Sequence, residues 1–191
     1  MELKDVSKNI HNISKATSKL KSQSEEILSI ITTLKKCRYY DNTIFVCGNG
    51  GSASTASHLV CDLFKFSELK AVCLCDTTPL VSALTNDIGW DHVYDYQLKR
   101  LAKKDDVLIV ISVHGGQGID EAGIQSGNLV NAIDYANSNG IVTIGLTGGD
   151  GGYFENCKLN VIVPSNSTPI IESVHSSLAH LIAFLTKEDK L

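Results

Sequence analysis

Two short stretches of this 191-residue chain carry the side chains best suited to move a proton or hold a cation. His58 and Asp62 stand four residues apart, which on a helix puts them on one face, one turn from each other. Near the C-terminus, Glu172, His175 and His180 recur within a second helical stretch. An imidazole beside a carboxylate serves either as a ligand pair for a divalent metal or as an acid–base pair. A surface ion pair is the plain alternative. Eight helical residues separate Glu172 from His180 by ~12 Å along an axis, so on one continuous helix both reach a common metal only at full stretch. Either the helix begins after Glu172, or the two residues serve sites built by different subunits. The second arrangement is the expectation: an active site at an oligomer interface.

The element that positions the first pair is a glycine-rich turn. Cys47-Gly48-Asn49-Gly50-Gly51-Ser52-Ala53 directly follows the apolar run Thr43-Ile44-Phe45-Val46, so a strand enters a turn that opens a helix from Ser54 to about Phe66. Glycines let the backbone adopt conformations closed to other residues and approach a ligand closely. The helix start adds unpaired N–H groups and the positive end of its dipole. The pattern is neither G-x-G-x-x-G nor G-x-x-x-x-G-K-[ST], which disfavours dinucleotide and P-loop nucleotide sites. A phosphate or a sugar hydroxyl suits it better. Two further strand ends carry similar turns, Ser112-Val113-His114-Gly115-Gly116 and Thr147-Gly148-Gly149-Asp150-Gly151-Gly152. All three should gather on one rim and share a cleft.

From Thr43 onward, apolar runs at 43–47, 70–75, 106–112, 141–146 and 158–163 alternate with helical stretches near 52–66, 79–86, 92–103, 128–138 and 169–187. Continuous β-branched runs such as Val107-Leu108-Ile109-Val110-Ile111 mark parallel strands covered on both faces. The fold class is α/β: a three-layer sandwich around a doubly wound, mainly parallel five-stranded sheet, whose ligands bind beyond the carboxyl ends of the strands. Residues 1–36 have a sparse apolar period through Val6, Ile10, Ile13, Ala16, Leu20, Ile27, Leu28, Ile31 and Leu34, the pattern of one or two amphipathic helices. They form an N-terminal helical arm, either against another subunit or on the surface of its own domain. The arm and the α/β body at residues 37–191 belong to one domain.

Net charge of −4 and a pI near 5.8 argue against a nucleic-acid or anionic-membrane surface. No apolar stretch is long enough to span a bilayer, and Met1-Glu2-Leu3-Lys4-Asp5 lacks the pattern of a signal peptide. The six cysteines form no C-x-x-C pair, and free thiols in a reducing cytoplasm are expected. Cys73-Leu74-Cys75 places two thiols on one face of a strand, where packing is the expected role.

In combination and order, several of these motifs resemble the sugar isomerase (SIS) domain family, and within it the phosphoheptose isomerases. The carrying segments are Cys47–Ala53, Leu84-Thr85-Asn86-Asp87-Ile88-Gly89, Asp105–Ile109, Gly145-Leu146-Thr147-Gly148 with Gly151-Gly152, Val163-Pro164-Ser165, and Glu172-Ser173-Val174-His175 ahead of His180. The likeness spans nearly the whole chain. It implies an aldose–ketose isomerisation of a sugar phosphate through an enediol. Sedoheptulose 7-phosphate and D-glycero-D-manno-heptose 7-phosphate would be the substrates, supplying heptose for lipopolysaccharide or capsule.

The resemblance also implies roles. Asp62 and His180 would be the acid–base groups. His58, Asp62, Glu172 and His180 would surround one zinc ion per site. Asn49, Gly50, Gly51, Ser52, Asn86, Asp87, Ser112, Val113, His114, Ser126 and Glu172 would bind substrate. The assembly would be a homotetramer. Three departures stand out: Asp62 replaces a typical Glu, Glu172 replaces a typical Gln, and the usual Ser-Thr-Ser-Gly-Asn-Ser phosphate loop has become Ser112-Val113-His114-Gly115-Gly116-Gln117. On the best alignment, Ser126 and Asn128 stand for that loop's last Ser and Asn. Isomerisation of a related sugar phosphate, or a non-catalytic sensor or scaffold, are the alternatives.

Overall fold

The computed structural model describes residues 2–116 and 126–187, together with the backbone of 119–120 and 123–124. Its centre is a five-stranded sheet in the order β2-β1-β3-β6-β7. The strands are β1 (Ile44–Gly48), β2 (Ala71–Cys73), β3 (Val107–Ile111), β6 (Val142–Gly148) and β7 (Leu159–Val163). Every pairing in this sheet is parallel. A separate two-residue ladder pairs β4 (Ile119–Asp120) with β5 (Gly123–Ile124), antiparallel.

The strands are buried on both faces because their side chains alternate between two cores. Ile44, Val46, Val107, Ile109 and Ile111 face one side, packing with α2 (Ser24–Tyr40), α3 (Gly51–Lys65) and α7 (Thr168–Thr186). Phe45, Cys47, Leu108 and Val110 face the other, packing with α5 (Asp95–Leu101) and α6 (Gly127–Ser138). α4 (Thr78–Ile88) contributes Leu84 to that second core. At the lower edge of the sheet the buried carboxylate of Asp106 accepts hydrogen bonds from the Thr43 and Lys103 backbone N–H groups. The paired acids of that motif therefore include one structural clasp.

The first 40 residues divide into two helices with different environments. α1 (Leu3–Lys19) and α2 are joined by a 3₁₀ turn at Leu20–Gln23. α2 buries Ile27, Ile30, Ile31, Leu34 and Cys37 in the first core. In α1, Ala16 is the buried residue, while Leu3, Val6, Ile10 and Ile13 are exposed. The strand order reverses direction between β1 and β3, where Gly48 is paired with Ile111. That switch point is where an open α/β sheet leaves a crevice for ligands.

Candidate active site

The three turns expected on one rim do meet there. Gly48 N-terminally flanks the turn to α3, and Ser112 follows β3 directly, its N–H bonded to the Leu146 carbonyl of β6. The turn after β3 and the turn after β6 then interlock backbone to backbone. A Cβ at Gly115 would lie 2.7 Å from the Gly151 carbonyl carbon, and one at Gly152 would collide with the His114 carbonyl. Only glycines permit that approach. Gly116 donates its N–H to the Ser112 hydroxyl at 3.4 Å, and Gly148 donates to the Val113 carbonyl at 3.2 Å. The His114 side chain is exposed on this surface.

Asn49 is the knot of the rim. Its Nδ2 donates to Ser126 Oγ at 3.1 Å and to Asn128 Oδ1 at 2.9 Å, and Asn128 Nδ2 returns a bond to Asn49 Oδ1 at 3.0 Å. The Tyr94 hydroxyl lies 2.7 Å from the Gly48 carbonyl and 3.2 Å from Asn49 Oδ1. Both amide ends of Asn49 are therefore engaged by protein groups. Ser126, at the start of α6, holds a left-handed conformation with φ of 63°.

Glu172 belongs to this rim as well. A Cβ at Gly51 would stand 2.7 Å from Glu172 Cδ, so the carboxylate lies directly against the first residue of α3. A negative charge at a helix start is favourable to the helix. Glu172 here occupies space at the α3 N-terminus that a small anion would otherwise use. Asp91 stands in the same relation to α6, with a Cβ built on Gly127 falling 2.9 Å from its Oδ1. Ser52 is buried in the first turn of α3. Asn86 and Asp87 lie exposed on the last turn of α4, with Asn86 Nδ2 donating to Asp87 Oδ1 at 3.0 Å.

The second group lies farther along the same two helices, in the seam between α3 and α7. Asp62 Oδ2 accepts from His180 Nδ1 at 2.7 Å, and Asp62 Oδ1 stands 3.7 Å from His58 Nε2. The side chain of Asp62 is only 5% exposed, whereas those of His58 and His180 are 56% and 47% exposed. The two rings meet edge to face at 4.8 Å. One buried carboxylate thus orients two half-exposed imidazoles. Where the carboxylate accepts, Nδ1 of His180 carries the hydrogen of that bond, and the neutral tautomer then has its lone pair on Nε2.

Eleven residues separate Gly51 from Asp62, about 16 Å of helix. α7 is continuous from Thr168 to Thr186, so Glu172 and His180 are held apart in the same way. Within one chain the structure brings His58, Asp62 and His180 together and leaves Glu172 at the rim. Of the four residues that the resemblance puts around one metal, three therefore lie together within a single chain, and the helix does not begin after Glu172. Ligand atoms of these three lie within 4.8 Å of one another. Two imidazoles and a carboxylate suit zinc, with a fourth position left for solvent or substrate.

Between Glu172 and His180, His175 is fully buried and its Nε2 lies 3.0 Å from the Thr147 carbonyl. Burial, partly opposed by that hydrogen bond, pushes its pKa down to about 4. It is a neutral core imidazole that fastens α7 to the end of β6. Sequence reasoning missed Tyr94 and Asp91, whose contacts on the rim, with Gly48, Asn49 and Gly127, span 36 or more positions of the chain.

The comparisons with known proteins agree with this architecture. The SIS domain family model matches residues 8–148. A phosphoheptose isomerase of Aliarcobacter butzleri is 42% identical over 147 residues, covering 74% of this chain and 73% of that protein. One from Clostridium acetobutylicum is 30% identical over 171 residues, covering 86% and 83%. The solved structure of a phosphoheptose isomerase from Neisseria gonorrhoeae superposes with a TM-score of 0.85 at 30% identity, covering 94% of this chain and 95% of that one. With the parallel sheet, the glycine rim and the Asp62 cluster in place, the chain belongs to the SIS domain family and, within it, to the phosphoheptose isomerases.

Proposed function

We propose that this protein interconverts sedoheptulose 7-phosphate and D-glycero-D-manno-heptose 7-phosphate through an enediol. The observation that carries the reading is the 2.7 Å contact between Asp62 and His180, an acid–base pair whose imidazole faces solvent. Asp62 removes the proton that moves between C1 and C2, and His180 Nε2 relays a proton between the two sugar oxygens. The rim does the positioning: the Asn49–Gly51 backbone and Ser52 hold the sugar chain, Asn86 and Asp87 hold hydroxyls, and the Ser112–His114 turn with Ser126 grips the phosphate. Glu172 at the start of α3 steers that phosphate toward Ser112. Holding a substrate by its far end fixes which carbons reach the base.

His58, Asp62 and His180 would hold a zinc ion, which supplies Lewis-acid polarisation of a carbonyl when bound. A carboxylate tightly engaged by a metal is a poor base, so the proton steps above rest on Asp62 and His180 alone.

The ~16 Å of helix between rim and seam favours a pocket completed by a second copy, with the seam of one protomer facing the rim of its neighbour. Exposed apolar groups around the seam support this: Leu181, Phe184 and Leu185 on α7 and Phe64 on α3. Phe184 packs on Phe66 at 4.8 Å and lies 6.5 Å from His180. The apolar stripe of α1 adds a further face, and a homotetramer is the assembly proposed. The cytoplasm is the proposed compartment; among the described residues no helix is long and apolar enough to cross a membrane.

Solvent deuterium exchange, followed by magnetic resonance, tests the reaction. Exchange at C1 or C2 of the heptose 7-phosphates is expected. Absence of exchange into any five- to seven-carbon sugar phosphate would leave a binder rather than an isomerase. Mixing an inactive Asp62→Asn chain with an inactive rim variant tests the shared pocket. Mixed oligomers should regain part of the lost turnover, and a fully active monomer in sedimentation would overturn the arrangement.

A further inference from the structure

Beside the glycine rim stand two neighbouring cysteines, one of which touches the backbone that the rim is made of. Cys75 follows the end of β2 in a turn closed by the Asp76 N–H on the Cys73 carbonyl. Its sulfur lies 3.2 Å from the Gly48 carbonyl and 3.4 Å from the Tyr94 hydroxyl, the same hydroxyl that bonds Gly48 and Asn49. Cys73 and Cys75 are the first and third residues of that turn, which folds the chain back between them. Cys75 is half-buried and lines an open pocket of about 490 Å³ with Ser54, Ser57, His58, Cys61 and Asp76, whereas Cys73 is buried. The turn is also tied to α3, since Ser57 Oγ donates to Asp76 Oδ2 at 2.9 Å.

Packing alone, the expectation from sequence, does not describe this arrangement. One thiol is reachable from solvent and touches the loop proposed to hold substrate, and a second lies two residues before it in the same turn. We infer that Cys75 and Cys73 form a peroxide-oxidisable thiol pair that closes to a disulfide beside the glycine loop and lowers turnover. The Cys75 thiolate attacks one oxygen of hydrogen peroxide, the O–O bond breaks and hydroxide leaves. The sulfur, oxidised by two electrons, is now a sulfenic acid. The Cys73 sulfur attacks it, the S–S bond forms, and water departs with the Cys73 proton.

The surroundings favour Cys75 as the first to react. Cys75 is the half-exposed member of the pair, and the neighbouring Cys73 thiol, with the Tyr94 hydroxyl, outweighs burial and brings its pKa down to about 7. The same contact and burial push the Cys73 thiol up. Closing the disulfide withdraws the Cys75 sulfur from Gly48 and Tyr94 and so loosens the knot at Asn49. The effect on turnover rests on the proposed isomerase reading; the oxidation itself does not.

Peptide mass mapping after mild peroxide separates the two. Tryptic cleavage at Lys70 and Lys99 leaves Cys73 and Cys75 in one peptide, while Cys47 and Cys61 share another. The expected result is a loss of two hydrogens within the first peptide, reversed by dithiothreitol. A fall in turnover of about tenfold should accompany it, since small displacements of positioning elements cost up to ~100-fold. Cys75→Ser should abolish both effects, and Cys61→Ser should abolish neither. A peptide that keeps both thiols while Cys61 is oxidised, or a disulfide joining the two peptides, would overturn the pair. A disulfide formed with turnover unchanged would overturn its control of the loop.

Discussion

The rim and the seam are carried by the same two helices, α3 and α7, and are built in opposite ways. The rim is made of backbone: interlocked glycine turns, with Asn49 held at both amide ends by Asn128, Ser126 and Tyr94. Its charges, Glu172 and Asp91, lie against helix starts. The seam is made of side chains, one buried carboxylate and two imidazoles open to solvent. A saturated hydrogen-bond network holds a shape, which suits gripping a substrate. Groups with free lone pairs at half-exposed positions can exchange protons or take a metal. The division of labour proposed for them follows from that chemistry, and the ~16 Å of helix between the regions is the reason for proposing that a second copy completes the pocket.

The sharpest way to break this comparison is to remove the proposed base while keeping its shape. Asp62→Asn should reduce kcat by ~10²–10⁴-fold, the range of general-base contributions, with sugar-phosphate affinity by calorimetry close to that of the parent. Equal losses in kcat and affinity would mean that the seam also binds, and the two regions would no longer differ in kind. Zinc added to the apoprotein, followed by calorimetry, sharpens the same point. His58→Ala should weaken its binding, whereas Glu172→Ala should leave it unchanged within a protomer.

Midway between the regions, His175 gives a stability signature. Its pKa is lowered to about 4 from an ordinary 6.5. Between those values the unfolded chain binds a proton that the native chain does not, so stability falls as the pH drops from 6.5 toward 4 and levels off below. The full effect is roughly 3 kcal/mol. Urea unfolding across that window should show the slope in the parent protein and a flatter one in His175→Asn. An identical slope in both would place the titration elsewhere.

Gly51→Ala attacks the rim by volume. The added methyl meets Glu172, and overpacking of this kind costs about 1–3 kcal/mol. Glu172→Ala in the same chain should return most of that loss, a coupling between residues 121 positions apart that a double-mutant cycle reads directly. Simple additivity would mean that the carboxylate moves aside and does not define the rim.

How much of this was legible beforehand depended on the range of the interaction. β-branched runs such as 107–111 marked the strands, and the strand-to-glycine-to-helix succession marked the loop, because both are local patterns. The pairing of His58 with Asp62 followed from helical spacing, and the wide interval from Glu172 to His180 announced the separation of rim and seam. The arm at 1–36 was legible as helical, but sparse apolar spacing could not tell the buried face of α2 from the exposed face of α1. Tyr94, Asp91 and the full enclosure of Asn49 left no local trace. Their partners are brought near by the β1–β3 switch point and by the packing of α6, which no short window of sequence contains. Cys73 and Cys75 were placed on one face by alternation, but the turn that sets Cys75 against Gly48 was not.

Tyr94→Phe tests whether the rim's shape is worth anything by itself. The one hydroxyl proton of Tyr94 serves chiefly the Gly48 carbonyl at 2.7 Å, so removing it leaves that carbonyl short of a donor at a buried position, while Asn49 Oδ1 keeps its bond from Asn128. Unmade buried hydrogen bonds of this kind cost about 1–3 kcal/mol, and Cys75 and Asn128 remain to take up part of it, so a loss near the lower end is expected. Because Tyr94 touches neither the seam nor an outward-facing atom of the loop, its effect on turnover should appear mainly in KM, with kcat close to the parent value. A substrate-saturation curve together with thermal unfolding measures both quantities. A loss confined to kcat would mean that rim geometry reaches the proton-transfer groups, and the two regions would then act as one.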